Sequence, residues 1–373
     1  MAAASECTAT VADELTVTDE LTVADELATL DRGLWWPSDA VVADLAAVTG
    51  DVLLLGAGGK LGLSLATMAR LALDRAERAE RADGIDRAVA RRRVVAVSRF
   101  ADPGATEPFH DAGVETIAAD LSDPGALRGL PDAENVIYLV GRKFGTHGDP
   151  WATWAVNTYL AAQVAQRFVG SRIVAFSTGN VYPLTPVGSG GADENTAPSP
   201  VGEYAQSCLG RERLLQHVSI STGTPMSILR LNYAIDLRYG VLHDIARAVW
   251  ASEPVDVTMG SVNVLWQGDV NAMTLRSLRH CTSPPDVLNL TGPETVSVRW
   301  LATEFAARLG REPIIAGQEA STALLSNASR AMARFGYPTV SVREMIEKTC
   351  RWIEAGGPSH GKPTKFEQRG GVF

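Results

Sequence analysis

The stretch Asp51–Gly62, which reads DVLLLGAGGKLG, decides the fold of this chain. Its apolar run Val52–Leu55 leads into a helical pattern through four glycines, which are Gly56, Gly58, Gly59 and Gly62. Glycine lets a backbone turn come close to a pyrophosphate, and a helix that starts at the turn points its N–H groups at the anion. The order of strand, turn and helix therefore predicts a dinucleotide site, and a glycine-rich turn without a ligand is the alternative.

Short apolar runs alternate with helical patterns after this stretch, which is typical of a parallel sheet covered by helices on both faces. The predicted strands are Val52–Leu55, Val94–Ser98, Thr116–Ala118, Val136–Val140, Ile173–Phe176 and Ser227–Leu231. After Asn232 the alternation becomes irregular, with predicted helices over Gly240–Trp250, Val298–Leu309 and Val342–Ile353 and a strand over Val287–Leu290. We predict an α/β fold, a Rossmann doubly wound parallel sheet with a small C-terminal substrate lobe.

Composition and pattern divide the chain into four segments. Residues 1–33 are expected to be a flexible acidic tail, because Asp13–Leu30 repeats a hexad beginning with DEL that matches no heptad. Residues 34–232 are expected to form the dinucleotide-binding domain, and residues 233–355 mainly the substrate-binding lobe. Residues 356–373, rich in Gly, Pro and Lys, are predicted to be a mobile tail.

The composition limits the possible partners. The 373 residues are 46% hydrophobic and 21% charged, and the formal net charge of -9 argues against a broad surface for nucleic acid or an anionic membrane. The apolar runs are far below the ~20 residues that a membrane span needs. The acidic N-terminal sequence fits no signal peptide, so we expect a cytoplasmic protein. The four cysteines and six histidines are scattered, so neither a disulfide framework nor a metal site is expected.

Three further stretches carry a family resemblance. They are IVAFSTGNVYP (Ile173–Pro183), ENTAP (Glu194–Pro198) and YAQSCLGRE (Tyr204–Glu212). Together with the glycine turn they resemble the extended short-chain dehydrogenase/reductase family, also called the NAD-dependent epimerase/dehydratase family, over roughly Asp51–Ile353. The resemblance implies a Rossmann core, a small C-terminal lobe and hydride transfer between a nicotinamide cofactor and a sugar or nucleotide sugar.

The end of the second predicted strand bears on the choice of cofactor. An NAD-specific site places a carboxylate there, whereas this chain has Ser98 and Arg99. A guanidinium and a hydroxyl favour a 2'-phosphate, so NADP is preferred over NAD. Asp120 and Leu121, after the third strand, are expected beside the adenine. The predicted cofactor-binding residues are Gly56, Gly58, Gly59, Lys60, Leu61, Gly62, Ser98, Arg99, Asp120, Leu121, Val140, Gly141 and Tyr204.

The resemblance also implies catalytic residues. Thr178 matches the hydroxyl residue that binds the substrate oxygen, and Tyr204 matches the tyrosine that exchanges a proton. Asn157 resembles an asparagine found on the fourth helix of the family, although a plain polar helix position is equally compatible. The family pattern is Tyr-x-x-x-Lys, and Cys208 occupies the lysine position. A thiol in a helix cannot replace the cation that stabilises a phenolate.

Three hypotheses address the missing lysine. In the first, another cation substitutes, with Lys143 as the predicted catalytic residue and Arg142 and Arg211 as further candidates. In the second, the enzyme works mainly as a reductase, so that Tyr204 starts neutral and donates its proton. In the third, the protein binds a dinucleotide without turnover.

The resulting prediction is an NAD(P)-dependent oxidoreductase or epimerase acting on a hydroxyl or keto group of a small sugar-like or nucleotide-sugar substrate. The alternative is a non-catalytic NADP(H)-binding sensor. Members of the family commonly dimerise through two helices, and Trp151–Phe168 and Tyr204–Gln216 carry apolar faces that suit this. We therefore expect a homodimer. Arg238 is a further candidate to bind an anionic substrate group.

Overall fold

The structure is a computed structural model that describes residues 22–82, 91–146 and 148–373. Its strands are β1 Val52–Leu55, β2 Val94–Ser98, β3 Glu115–Ala118, β4 Asn135–Tyr138, β5 Arg172–Thr178, β6 Thr185–Pro186, β7 Met226–Leu231, β8 Ala234–Ile235, β9 Pro254–Asp256, β10 Ser261–Val262, β11 Leu265–Trp266, β12 Asp286–Leu290, β13 Val296–Ser297, β14 Ile314–Ala316 and β15 Thr322–Ala323.

Seven of these strands form one sheet in the order β12-β7-β5-β4-β1-β2-β3. Every neighbouring pair in this sheet is parallel. The strand order reverses at β1, which is the arrangement of a doubly wound Rossmann sheet. The predicted fold class is thus confirmed.

The helices are α1 Val23–Arg32, α2 Asp39–Ala46, α3 Gly62–Ala82, α4 Glu107–Asp111, α5 Pro124–Arg128, α6 Pro150–Trp154, α7 Leu160–Arg167, α8 Gly202–Thr222, α9 Val241–Trp250, α10 Gln267–Arg276, α11 Val298–Leu309, α12 Ser329–Phe335 and α13 Val342–Glu354. A π-helical turn, Ala155–Tyr159, joins α6 to α7. None of the helices in the described ranges is long and apolar enough to cross a membrane.

Strand β1 is buried on both faces, which explains why its sequence is continuously apolar. Val52 and Leu54 pack on the side of α2 and α3, and Leu53 and Leu55 pack on the side of α7 and α8. A third apolar cluster lies in the lobe formed by α9, α11 and α13. The sheet and the lobe therefore each have a core of their own.

The seventh strand of the sheet comes from the range predicted for the substrate lobe. Strand β12 pairs with β7 from Asp286↔Ser227 to Leu290↔Leu231, and Leu288 and Leu290 are fully buried there. The chain thus returns from the lobe to complete the sheet. Sequence periodicity identified this strand but could not assign it to the edge of the sheet, because a strand's partner is set by distant residues.

Both predicted tails differ from expectation where the structure describes them. Leu30 is buried and Gly33 O accepts a hydrogen bond from Trp266 Nε1 at 2.9 Å, so the end of α1 packs against the lobe, whereas residues 22–25 are exposed. The first part of the DEL repeat lies outside the described residues. In residues 356–373, Phe366 and Phe373 are buried, so this segment also packs against the body of the protein instead of extending freely into solvent.

Candidate active site

A cavity of about 1150 Å³ lies between the carboxyl ends of the sheet strands and the lobe. This is the edge at which open α/β sheets bind ligands. The cavity brings together predicted cofactor residues and all three predicted catalytic residues, and its lining includes Gly58, Gly59, Lys60, Gly141, Lys143, Thr178 and Tyr204.

The glycine turn joins β1 to α3 and forms one wall of this cavity. Gly56 has a φ of 88°, a conformation that favours glycine. A Cβ on Gly58 would stand 2.5 Å from Ser98 Oγ, so the turn fits tightly against the end of β2. Gly59 also lines the cavity, and no atom would crowd a Cβ on it closer than 3.6 Å. The turn therefore offers a backbone surface that a phosphate could approach.

Lys60 extends from the glycine turn to the substrate lobe. Its Nζ donates to Ala234 O at 3.0 Å and lies 4.4 Å from the centre of the Tyr239 ring. Burial lowers the pKa of Lys60 to about 8, an effect that nearby Asp236 opposes. The turn is thus tied to the first residues of the lobe.

The remaining predicted cofactor residues lie at the same edge of the sheet. Ser98 is the last residue of β2 and the exposed Arg99 follows it, and Val140 lies against Gly56 after β4. After β3, Asp120 is exposed and its Oδ1 accepts from Ser122 N at 2.9 Å, while Leu121, the next residue, is buried. Leu61 and Gly62 are the last residues of the glycine turn and the first of α3.

Tyr204 and Thr178 meet inside the cavity from α8 and β5. Burial raises the pKa of Tyr204, and the adjacent Cys208 raises it further, whereas a hydrogen bond with Thr178 lowers it. The phenol is therefore protonated near neutral pH. Thr178 Oγ1 accepts from Asn180 N at 3.1 Å and from Asn180 Nδ2 at 3.0 Å. The hydroxyl hydrogen of Thr178 is thus directed to the Tyr204 phenol oxygen, and a substrate oxygen bound between the two residues could accept it instead.

Cys208 is buried next to Tyr204 with 1% of its surface exposed. Burial raises the pKa of its thiol, so the group stays protonated and is a poor nucleophile. It packs with Val181, Tyr182 and Ala192, which is the environment of a small apolar residue. Across the described ranges, no three His, Cys, Asp or Glu side chains gather into a cluster that could hold a metal ion.

Arg211 is the buried cation nearest to this pair along the helix. Tyr204, Cys208 and Arg211 follow each other at helical spacings of four and three, so they share one face of α8. The guanidinium donates to Asn157 O at 2.8 Å, to Phe176 O at 2.7 Å and to Asn157 Oδ1 at 3.1 Å. Its charge lowers the pKa of both Tyr204 and Cys208.

Asn157 connects Arg211 to the loop after β4. Its Oδ1 accepts from Arg142 N at 2.7 Å, and its Nδ2 donates to Arg142 O at 2.9 Å and to Ser207 Oγ at 2.9 Å. The residue is fully buried in the π-helical turn. Asn157 is therefore more than a polar helix position, because it fixes the backbone from which Lys143 extends.

Arg142 and Lys143, the two cations of that loop, have different partners. The Arg142 guanidinium pairs with Asp149 at 3.0 Å and donates to Gly145 O, within its own loop. Lys143 Nζ instead donates to Thr364 O at 3.0 Å and lies 4.6 Å from the centre of the Phe373 ring. Burial lowers the pKa of Lys143 to about 8.

Sequence reasoning missed the contribution of the C-terminal segment to the cavity wall. His360, Lys362 and Thr364 line the cavity from that segment. The available signal was the pair of phenylalanines at 366 and 373, which are costly to leave in water. Arg238, the candidate for an anionic group, is paired with Asp31 and Asp236 and stacks over Trp352, so its charge is already compensated.

A family model matches part of the chain. Residues 82–235 match the model of the "NAD dependent epimerase/dehydratase family". The match runs from the last residue of α3 to the end of β8 and includes Thr178, Tyr204 and Cys208.

Solved structures show the same fold. A UDP-glucose 4-epimerase of Thermus thermophilus in complex with NAD is 20% identical, with a TM-score of 0.63. A UDP-glucuronic acid 4-epimerase of Bacillus cereus in complex with UDP-glucuronic acid and NAD is 18% identical, with a TM-score of 0.65. Pal of Bacillus thuringiensis is 17% identical, with a TM-score of 0.66. Each match covers 82% of this chain and 99% of the other chain.

Proposed function

We propose that this chain is a member of the NAD dependent epimerase/dehydratase family, whose model it matches over residues 82–235, and that it is an NAD(P)-dependent oxidoreductase or epimerase acting on a hydroxyl or keto group of a sugar-like substrate. One observation carries the proposal. The glycine turn and the pair Thr178–Tyr204 line one continuous cavity. A dinucleotide held by the turn and a substrate oxygen bound at Thr178 and Tyr204 would therefore share one enclosed space.

The proposed cofactor is a dinucleotide, with NADP preferred over NAD. The close fit of Gly58 against Ser98 and the open face of Gly59 leave the backbone accessible to a pyrophosphate. The exposed guanidinium of Arg99, next to Ser98, favours a 2'-phosphate. When bound, the nicotinamide would supply or accept the hydride that moves to or from the substrate carbon.

Tyr204 is the proposed proton donor and acceptor. During reduction of a carbonyl, the neutral phenol gives its proton to the substrate oxygen while the carbon receives the hydride. During oxidation of a hydroxyl, the proton returns to Tyr204 and the hydride leaves the carbon. Because burial keeps the phenol protonated, the donor state is the resting state, which agrees with the hypothesis of a neutral Tyr204. The hydroxyl of Thr178 holds the substrate oxygen.

Two cations take the place of the absent lysine in this proposal. Arg211 acts from within α8, because its charge lowers the pKa of Tyr204. Lys143 acts from the cavity side, where its ammonium can bind the substrate or the cofactor ribose. Arg142 is not assigned this role, because its guanidinium pairs with Asp149 within its own loop.

The proposed substrate class is a sugar nucleotide. The names of the similar structures mention UDP-glucose and UDP-glucuronic acid as substrates or ligands. The cavity of this chain extends from Tyr204 to polar groups of the lobe, among them Asp236 and Gln267. Such groups suit the hydroxyls and phosphates of a sugar nucleotide.

The test combines cofactor binding with turnover. NADP(H) and NAD(H) are titrated into the purified protein, and a panel of UDP- and other nucleotide sugars is then added while nicotinamide absorbance and product stereochemistry are followed. Tyr204→Phe should abolish turnover and leave cofactor binding intact. Tyr337→Phe is the matched control, because Tyr337 is 78% exposed. Tight cofactor binding without turnover of any sugar would support the sensor, and absence of binding would overturn the proposal.

A homodimer is proposed as the assembly. Trp151 is 73% exposed and Tyr159 is 62% exposed, and both lie on the segment that packs beside α8. Large aromatic side chains exposed together mark an interaction surface. Light scattering should give a dimer mass for the wild-type protein and a monomer mass for the double variant Trp151→Ser and Tyr159→Ser. A wild-type monomer would exclude the proposal. The cytoplasmic location stays a prediction.

A further inference from the structure

The C-terminal residues 358–373, called the strap below, lie across the cleft between the sheet and the lobe. Thr364 N and Thr364 Oγ1 both donate to Asp244 Oδ2 of α9, at 2.7 and 2.6 Å. Arg369 donates to Thr322 O and to Thr322 Oγ1, each at 2.6 Å. Phe366 is buried in the core of the lobe. The strap is therefore anchored at several points on the lobe.

The end of the strap contacts α8, the helix that carries Tyr204. A Cβ on Gly371 would stand 2.2 Å from Val201 O, and one on Gly202 would stand 2.3 Å from Gly371 O. The two backbones thus touch at the start of α8, two residues before Tyr204. The Phe373 ring then packs edge-on against Tyr204, with ring centres 5.5 Å apart and planes at 76°. Only 7% of Phe373 is exposed.

The same strap holds Lys143. The Thr364 carbonyl accepts the hydrogen bond from Lys143 Nζ, and the Phe373 ring lies 4.6 Å from that nitrogen. An ammonium at this distance from an aromatic face is stabilised by the ring quadrupole. Asp244, Thr364 and Lys143 thus form a chain of contacts from the lobe, through the strap, to the loop after β4.

We propose that the strap completes the active site, and that Thr364 and Phe373 are positioning residues that hold the Lys143 ammonium in the cavity that Tyr204 also lines. The inference rests on the proposed function for its catalytic consequence, although the placement of Lys143 can be tested without turnover. His360, Lys362 and Thr364 line the cavity from the strap. Removal of the strap would therefore open one wall of the site to water.

The charges around Lys143 define a measurable consequence. Burial lowers its pKa to about 8, while Asp244 on α9 and Glu367 on the strap oppose this shift and Lys365 on the strap adds to it. Lys60, on the glycine turn, faces the same cavity as a second cation. If Phe373 is removed, water reaches the ammonium, so its pKa should return towards the ordinary value of 10.5.

The first arm of the test measures this pKa by NMR on the full chain with ¹³C at lysine Cε. The chain has five lysines, at positions 60, 143, 348, 362 and 365, so the spectrum is simple, and Lys143→Arg assigns the signal. The Lys143 signal should titrate near 8 in the wild type and at clearly higher pH in Phe373→Ala. Val372→Ala is the matched control, because Val372 is 44% exposed. Thr364→Val, which breaks the side-chain bond to Asp244, should shift the signal in the same direction.

The second arm measures turnover. Phe373→Ala should lower kcat about tenfold to hundredfold, since displacement of a catalytic group by ~1 Å has an effect of this size, and Val372→Ala should match the wild type. An unmoved Lys143 signal in both strap variants would overturn the proposal. Faster turnover in Phe373→Ala would overturn it as well, because the strap would then obstruct the site. A wild-type protein with no turnover would refute the proposed function alone, and the NMR arm would still decide where the strap places Lys143.

Discussion

Replacement of Arg211 by methionine separates its structural role from its effect on Tyr204. The guanidinium donates three hydrogen bonds, but Asn157 Oδ1 keeps a second bond from Arg142 N at 2.7 Å, so mainly the carbonyls of Asn157 and Phe176 lose a donor. A hydrogen bond from a charged group contributes about 1.5–3 kcal/mol. We therefore expect Arg211→Met to lower the free energy of unfolding by about 3–5 kcal/mol, measured by guanidinium titration.

The same variant should change the pH dependence of turnover. Arg211 lowers the pKa of Tyr204, so its removal raises that pKa, and the midpoint of the pH–rate profile should move to higher pH. Arg211→Lys keeps a charge but cannot span all three acceptors, so it should recover the pH midpoint better than the stability. A stability loss below about 1 kcal/mol in Arg211→Met, with an unchanged midpoint, would refute the reasoning.

Introduction of the family lysine at position 208 provides a second test of the role of Arg211. Cys208→Lys alone would place two buried cations three residues apart on one helix face, and we expect it to destabilise the protein. In the Arg211→Met background the new lysine has no such neighbour, so it should move the pH midpoint back towards that of the wild type. Equal effects of Cys208→Lys in both backgrounds would contradict a shared electrostatic role.

Three further predictions follow from other parts of the structure. Glu212→Gln should cost about 3–5 kcal/mol in a denaturant titration, because Arg230 would stay buried without its partner at 2.7 Å. Arg99→Ala should reduce the preference for NADP over NAD about tenfold or more in calorimetric titrations, and an unchanged ratio would remove Arg99 from the cofactor site. Burial lowers the pKa of His243 from 6.5 to about 4. As the pH falls, the unfolded chain therefore binds a proton before the folded protein does. The free energy of unfolding should decrease by about 3 kcal/mol between pH 6.5 and pH 4. That loss should be absent in His243→Gln.

The sheet could be predicted because its information is local. Val52–Leu55 and Val94–Ser98 are apolar runs bounded by glycine or polar residues, and the structure has both strands with the predicted bounds. The position of β12 could not be predicted, since its pairing with β7 depends on a chain path that passes through the lobe. The sequence also failed to predict that α1 is an ordered helix, and the reason is related. Its repeat is simple in composition, but Leu30 finds a buried place only against residues of the lobe.

In the site, too, residues within a local motif could be predicted from the sequence, whereas contacts between distant parts of the chain could not. Tyr204 and Thr178 were recognisable because each lies in a motif with fixed spacing, and the structure brings them into one cavity. The residues that support them come from separate parts of the chain, with Asn157 before β5, Arg211 within α8 and Phe373 after the last helix.

Loss of the lysine at position 208 is therefore not equivalent to loss of positive charge at the site. In the family motif one side chain supplies the cation from the helix that carries the tyrosine. In this chain the guanidinium of Arg211 lies one turn further along that helix, and the ammonium of Lys143 lies 4.6 Å from the centre of the Phe373 ring, which itself packs against Tyr204. A small Cys208 between Tyr204 and Arg211 is consistent with this arrangement, because a second cation there would repel the guanidinium. The absence of a lysine at position 208 and the presence of a buried arginine at position 211 are thus electrostatically linked.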